Sequence, residues 1–229
     1  MLRKAFLIIS IVSLALMSFS PSVVPIFADG FESGNLSAWS SKVTDLGDLM
    51  VTSAAALEGT KGMRARIDDN TAIYVQDNSP KNENHYNASF LFDPNSIAMA
   101  DMDVHTIFNG QDYQNGVYVP AVRIELRYAG GSYQVAAGAR NDDLSWTNTI
   151  FFNISDAPHE IEVEWDAATA SGHNDGRLRL KIDSFLKGNR TGIFNDKFRI
   201  DRVRLGAVAY IDNGTRGIYY FDSFESSRD

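Results

Sequence analysis

The carboxylates Glu160, Glu162 and Glu164 alternate through the run HEIEVE at residues 159–164, and paired carboxylates flanking a glycosidic bond are what retaining glycoside hydrolysis requires. The same stretch supports a plainer reading, which the sequence favours. Arg177, Arg179 and Lys181 alternate with Leu178, Leu180 and Ile182 just downstream, so a hairpin would set a row of acids beside a row of cations on a solvated face, each opposed pair contributing ~0.2–1 kcal/mol. A second constellation is Arg123, Glu125 and Arg127, followed by Gln134 and Arg140. Guanidinium forks match carboxylates and sulfates, so a face carrying these residues could grip an anionic polysaccharide. With a tyrosine added, the same Arg123, Glu125 and Arg127 could serve a polysaccharide lyase or hydrolase. Sugar stacking would need exposed rings, for which Tyr74, Tyr113, Tyr118 and Trp146 lie nearest to expected loops. His85, His105, His159 and His173 show no metal-ligand spacing, no Gly-x-Ser-x-Gly elbow or phosphate loop occurs, and the absence of cysteine excludes disulfides and thiolate zinc.

The elements that must position these residues read as strands. Between Pro158 and Asp183, Ile161, Val163 and Trp165 alternate with the glutamates, and a connector rich in Ser, Gly, Asn and Asp separates them from the basic run. A period of two on both sides of such a connector predicts an antiparallel hairpin with one buried face. A second hairpin is predicted around Gly130 and Gly131, with Val122, Ile124, Leu126 and Tyr128 on one side and Tyr133, Val135, Ala137 and Ala139 on the other. Pro120 cannot donate to a ladder, which predicts an edge or a bulge there. About a dozen short β-rich runs, separated by stretches such as Asp77–Asn84 and Asn109–Gly116, predict an all-β antiparallel sandwich or barrel.

Residues 1–28 read as a secretory signal peptide: Arg3 and Lys4, an apolar run from Ala5 to Phe19, and Ala28 as the last residue before cleavage, with a cut after Ser20 as the alternative. The remaining 29–229 is long enough for a single domain with its own core. No second apolar segment follows, so the reading is a secreted or surface-held product with no membrane span after cleavage. A formal net charge of −8 argues against nucleic acid as a partner, since phosphate binding needs clustered Lys and Arg.

The stretch His159, the alternating run to Trp165, and Ile182-Asp183-Ser184 resembles the late strands of concanavalin A-like jelly rolls, with Ser184 where a glycine is usual. The ends resemble jelly-roll carbohydrate-binding modules: Phe31-Glu32-Ser33-Gly34 and Trp39 at the start, Phe221-Asp222 at the close. HEIEVE is also similar to the Glu-x-Asp-x-Glu strand of laminarinase-like glycoside hydrolases, but Glu162 replaces the Asp and the following Trp places the run on a later, non-catalytic strand. The resemblance implies a two-sheet jelly-roll β-sandwich. It further implies a structural calcium held by Glu32 and Asp222, with Asp29 as a third ligand, since Ca²⁺ takes six to eight oxygens. The expected role is a non-catalytic carbohydrate-binding or cell-surface recognition module whose partner is a polysaccharide or surface glycan, an anionic one if the arginine face is the site. The rivals are an enzyme on the same scaffold and a self-associating structural or adhesive envelope protein.

Overall fold

The computed structural model describes residues 24–228; most of the expected signal peptide therefore lies outside the described residues. Two eight-stranded antiparallel sheets stack face to face. The first runs β14 (Phe185–Ile193), β13 (Gly176–Ile182), β12 (His159–Asp166), β6 (His85–Asp93), β16 (Gly217–Ser227), β4 (Gly62–Ile67), β3 (Leu49–Thr52), with β1 (Pro25–Asp29) also paired to β16. The second runs β10 (Trp146–Asn148), β9 (Ser132–Arg140), β8 (Val117–Ala129), β7 (Val104–Gln114), β15 (Arg202–Ala209), β5 (Ile73–Asp77), β2 (Ser41–Val43), with β11 (Phe152–Ile154) on β9.

The two-residue rhythm sends alternate side chains into the space between the sheets. Phe90, Phe92, Tyr219, Phe221 and Phe224 from the first sheet meet Phe108 from the second, with ring centroids 5.2–6.3 Å apart among the contacting pairs. Each fully buried ring of this kind contributes ~1.5–3 kcal/mol relative to exposure. The chain's beginning and end are neighbours, Asp29 lying opposite Phe224. Phe27 packs edge-on to Trp39 at 4.8 Å. Pro25 to Ala28 thus supply four of the five residues of β1, a strand that cleavage after Ser20 would leave whole and cleavage after Ala28 would remove.

Both predicted hairpins form. Glu162 faces Lys181 and Glu164 faces Arg179 in register, with Lys181 Nζ 2.8 Å from Glu162 and 2.5 Å from Glu164 and Arg179 3.0 Å from Glu164. Arg177 meets Asp166 at 2.6 Å, while Glu160 accepts from Ser184 Oγ. These acids are consumed by the hairpin that carries them. The β8–β9 hairpin pairs Val122 with Ala139 through to Ala129 with Ser132.

One feature differs from the sequence expectation, and at a second the structure takes one of the two expected forms. Asn109–Gly116, read as a separator, is mostly strand: β7 continues to Gln114, with Asn109, Gln111 and Asp112 buried. Its Asn, Gln and Asp content reflects what its outer face meets, described below. At Pro120 the chain is a bulge and not an edge, since β8 is central: Gly110 pairs with Val122 and Gln111 with Pro120, leaving Ala121 as the extra residue. Ala121 and Val122 both turn inward.

Candidate functional site

Outward-facing residues of the second sheet line up across its strands. Ser41 pairs with Gln76, Gln76 with Arg204, Arg204 with Asn109, Asn109 with Arg123, Arg123 with Gly138, and Gly138 with Asn148. Neighbouring strands lie ~4.8 Å apart, so the backbones of Arg204 and Arg123 stand ~10 Å apart with Asn109 between them. Next to this row Arg202 pairs with Gln111. Together they surround a depression of about 240 Å³, whose walls include Asn109, Gln111, Tyr118, Arg123, Arg140, Trp146, Arg202 and Arg204.

Each arginine lies over a ring. Arg204 is 4.2 Å from the centre of Tyr74, Arg202 3.4 Å from Tyr118, and Arg123 and Arg140 are 4.1 and 5.4 Å from Trp146. Such contacts contribute ~0.5–2 kcal/mol each and fix a guanidinium plane while leaving N–H edges for a ligand. Arg202 and Arg204 spend one N–H each, Nε donating to Gln111 Oε1 at 2.6 Å and to Gln76 Oε1 at 2.9 Å. Gly138 makes room for the pair at Trp146: a Cβ there would overlap Asn148 Oδ1 and come within 3.2 Å of the Trp146 ring and 3.3 Å of Arg123 Nε.

The cluster is short of negative charge. Glu125 approaches Arg123 at 3.3 Å, but burial pushes its carboxyl up, against the pull of Arg123. Among the described residues, Arg140, Arg202 and Arg204 have no carboxylate within 4 Å. Burial and the nearby Arg204 push the Arg202 guanidinium down to about 10, and burial lowers Arg204 as well. At the rim, Tyr210 is largely exposed and holds a left-handed backbone at φ 62°, a conformation that costs a tyrosine energy and persists only where its surroundings impose it.

The residues expected from sequence divide. Arg123 and Arg140 are brought together on Trp146. Glu125 is half-buried against Arg123. Arg127 and Gln134 form a separate closed network: Arg127 donates twice to Gln134 Oε1 at 2.8 and 2.6 Å, Gln134 Nε2 donates to Asn153 at 2.7 Å, and the guanidinium sits 3.7 Å from the centre of Phe151. Arg123 and Arg127 therefore do not converge on one opening. Tyr74, Tyr118 and Trp146, read as sugar platforms, carry arginines instead; Tyr113 packs on Tyr118 at 4.8 Å. Arg202, Arg204, Asn109 and Gln111 were not foreseen. The alternation of Arg202 and Arg204 with Val203 and Leu205 marks them as outward-facing, but nothing local says which strands lie beside them.

Glu32, Asp222 and Asp29 gather at the paired chain ends, where N–H groups of neighbouring segments already meet them. Glu32 Oε1 accepts from the backbone N–H of Thr60 and Lys61, and Oε2 from Thr60 Oγ1 at 2.5 Å. Asp222 accepts from the N–H of Leu57, Glu58 and Ser223, and Asp29 from Phe31 N–H and Trp39 Nε1. All six oxygens accept hydrogen bonds, two each at Glu32 Oε1 and Asp222 Oδ2 and one each at the other four. Among the described residues no group of three or more His, Asp or Glu is placed to hold a metal. The hydrogen bonds of Thr60, its hydroxyl first, hold the Glu32 carboxyl below its ordinary range, and burial raises Asp222. The 57–61 loop thus ties Glu32 to Asp222 across the chain ends.

Among the described residues no helix is long and apolar enough to cross a membrane. No protein-family model matches the chain, and no curated protein matches it. Among solved structures it is similar to the carbohydrate esterase vb_24B_21 from Shiga toxin-encoding bacteriophage phi24B (TM-score 0.63, 12% identity, 91% of this chain and 100% of that one). It is also similar to alginate lyase Aly36B (0.60, 12%, 90% and 96%) and to the T. cruzi calreticulin globular domain (0.59, 13%, 90% and 88%). At such identities the likeness speaks for architecture alone, and with the two stacked antiparallel sheets it establishes that the chain is a concanavalin A-like jelly-roll sandwich.

Proposed function

We propose that the outer face of the second sheet binds an acidic polysaccharide, without chemistry at that face, and that the protein acts as an exported carbohydrate-recognition module. One observation carries the reading: Arg123, Arg140, Arg202 and Arg204 are stacked on rings around a single depression with Glu125 as their one carboxylate neighbour among the described residues. On a chain of net charge −8, gathering four cations costs free energy unless an anion offsets their repulsion. A pre-oriented fork suits a carboxylate or sulfate, and Asn109 and Gln111 between the arginines offer amide contacts to hydroxyls. The likeness to a lyase described with bound alginate tetrasaccharide lends support at the level of fold.

The test is affinity electrophoresis and calorimetry on a polyuronate, a sulfated glycan and a neutral glucan. Binding to an acidic glycan that weakens as salt rises is expected. Each charge-assisted hydrogen bond is worth ~1.5–3 kcal/mol, so Arg202→Gln with Arg204→Gln should weaken binding by about 100-fold or more. Equal retention on neutral glucan, or undiminished binding by the double variant, would overturn the reading.

A further inference from the structure

A second group of side chains lies at the rim of the sandwich, away from the arginines. Ser155 follows β11, His159 opens β12, and Asp183 begins the two-residue turn between β13 and β14. Ser155 Oγ lies 2.8 Å from His159 Nε2, and His159 Nδ1 lies 2.8 Å from Asp183 Oδ2. The backbone decides the tautomer. Ser155 N–H donates to the same Nε2 at 3.1 Å, and a backbone N–H can only donate, so Nε2 presents its lone pair and the neutral ring carries its proton on Nδ1, towards Asp183. Asp183 is itself held by Glu160 N–H at 3.1 Å on its other oxygen. The Ser155 hydroxyl shares that one lone pair with the backbone N–H and is the closer of the two; a hydroxyl on a basic nitrogen, with the opposite nitrogen anchored by a carboxylate, is the arrangement that activates a serine. His159 is mostly covered, whereas Ser155 is exposed. It opens on a depression of about 330 Å³ walled by Tyr128, Tyr133 and Ile154 on one hand and by Ser96, Ser132 and Asp156 on the other. The two tyrosine rings meet edge to face at 5.1 Å, and the Tyr133 hydroxyl is tied to Ile97 O at 2.6 Å, leaving ring surface for a small apolar group.

We propose that Ser155, His159 and Asp183 form a hydrolytic site for short-chain acyl esters, with O-acylated sugar hydroxyls as the substrate class. Ser155 Oγ attacks the acyl carbonyl carbon as its proton passes to His159 Nε2. The resulting oxyanion collapses, the bond from the acyl carbon to the sugar oxygen breaks, and that oxygen leaves as an alcohol with the proton from Nε2. Water then adds to the acyl carbon, giving a proton to Nε2; the bond to Ser155 breaks, Oγ recovers the proton, and a carboxylic acid departs. Asp183 is a positioning residue that keeps the ring in this tautomer and stabilises its cation. The hydrolytic chemistry stands on the three side chains alone. The choice of a sugar ester rests on the glycan-binding reading, because Asn153, on the outer face beside Gln134, is two residues from Ser155.

The test uses the full exported chain, p-nitrophenyl acetate as substrate, and a fluorophosphonate probe with peptide mapping by mass spectrometry. Turnover above the buffer rate and an adduct on Ser155 are expected. Ser155→Ala should lower turnover by about 100-fold or more, while Ser171→Ala, in a distant loop, should leave it unchanged. Asp183→Asn should slow labelling of Ser155, and Asp183→Glu should restore part of the rate, a pattern that a merely structural role would not give. Mapping on the unaltered protein needs no variant, so a misfolded Ser155→Ala cannot mask the answer. No adduct, an adduct elsewhere, or equal turnover by Ser155→Ala overturns the proposal. Failure to bind acidic glycans would leave these results untouched and remove only the sugar from the substrate class.

Discussion

His105 gives the chain a built-in sensitivity to acid. The ring sits on β7 opposite Leu126, is 1% exposed, stacks on Tyr219 at 5.8 Å and 12°, and has no hydrogen-bond partner at either nitrogen among the described residues. Burial pushes its pKa from 6.5 down to about 4, with Asp212 working weakly in the opposite direction. Between those values the unfolded chain takes up a proton that the folded chain refuses. Stability is therefore full above about pH 6.5 and falls as the pH drops towards 4. The displacement corresponds to ~3 kcal/mol, at 1.36 kcal/mol per pH unit. Several carboxylates, among them Glu83, Glu164 and Asp166, are held below their ordinary values and lose stabilisation in acid as well, so the comparison must be with His105→Phe, which keeps a ring against Tyr219 and leaves those groups in place. Urea unfolding at pH 7, 5.5 and 4.5 should show the wild type losing ~2.4 kcal/mol more than the variant by pH 4.5. Parallel losses in the two proteins would refute the assignment of a buried, neutral His105.

Added calcium and added chelator should leave the melting temperature equal, while Glu32→Gln should lower it in both conditions by loosening the 57–61 loop; a rise of several degrees with calcium would restore an ion to the chain ends. Gly138→Ala should weaken acidic-glycan binding, because the new methyl displaces Trp146 and Arg123, with an overpacking cost of ~1–3 kcal/mol read from thermal unfolding; unchanged affinity would mean that the Trp146 stack does not shape the site. If export removes a leader, N-terminal sequencing of the released protein should find a first residue upstream of Pro25. A product starting at Asp29 would show that β1 is dispensable.

The local layers of this structure could be read directly. Ile161, Val163 and Trp165 announced their burial by alternating with glutamates, and Gly130-Gly131 announced a turn. β14 could not be read in this way: FLKGNRTGI has no alternation, because an edge strand with most of its residues exposed is under no pressure to keep one. Asn109 and Gln111 were mistaken for loop residues because an outer face that meets arginines is as polar as a loop. The meeting of Arg123 and Arg140 with Arg202 and Arg204 depends on β7 pairing with β15, strands separated by about ninety residues, and that choice is made by packing over the whole sandwich. Ser155, His159 and Asp183 were hidden for the same reason, since Ile182 pairing with Ile161 decides where the turn at Asp183 falls.

Ala121 shows how one residue can govern which chemistry a surface displays. Since it and Val122 both point inward, every side chain before them changes sides: Val119 packs towards the interior while Pro120 and Tyr118 come out beside Arg202. A ladder that kept Ala121 but paired it straight across from Gln111 would invert the aspect of the hairpin tip, sending the Tyr118 ring inward and presenting Val119 in its place, and Arg202 would lose the surface that holds it flat. Excising Ala121 would instead restore unbroken pairing with Pro120 and Tyr118 still facing out. Homologous chains that lose this residue should therefore keep the charged, ring-backed recess, and chains that keep it without the bulge should show an aliphatic one.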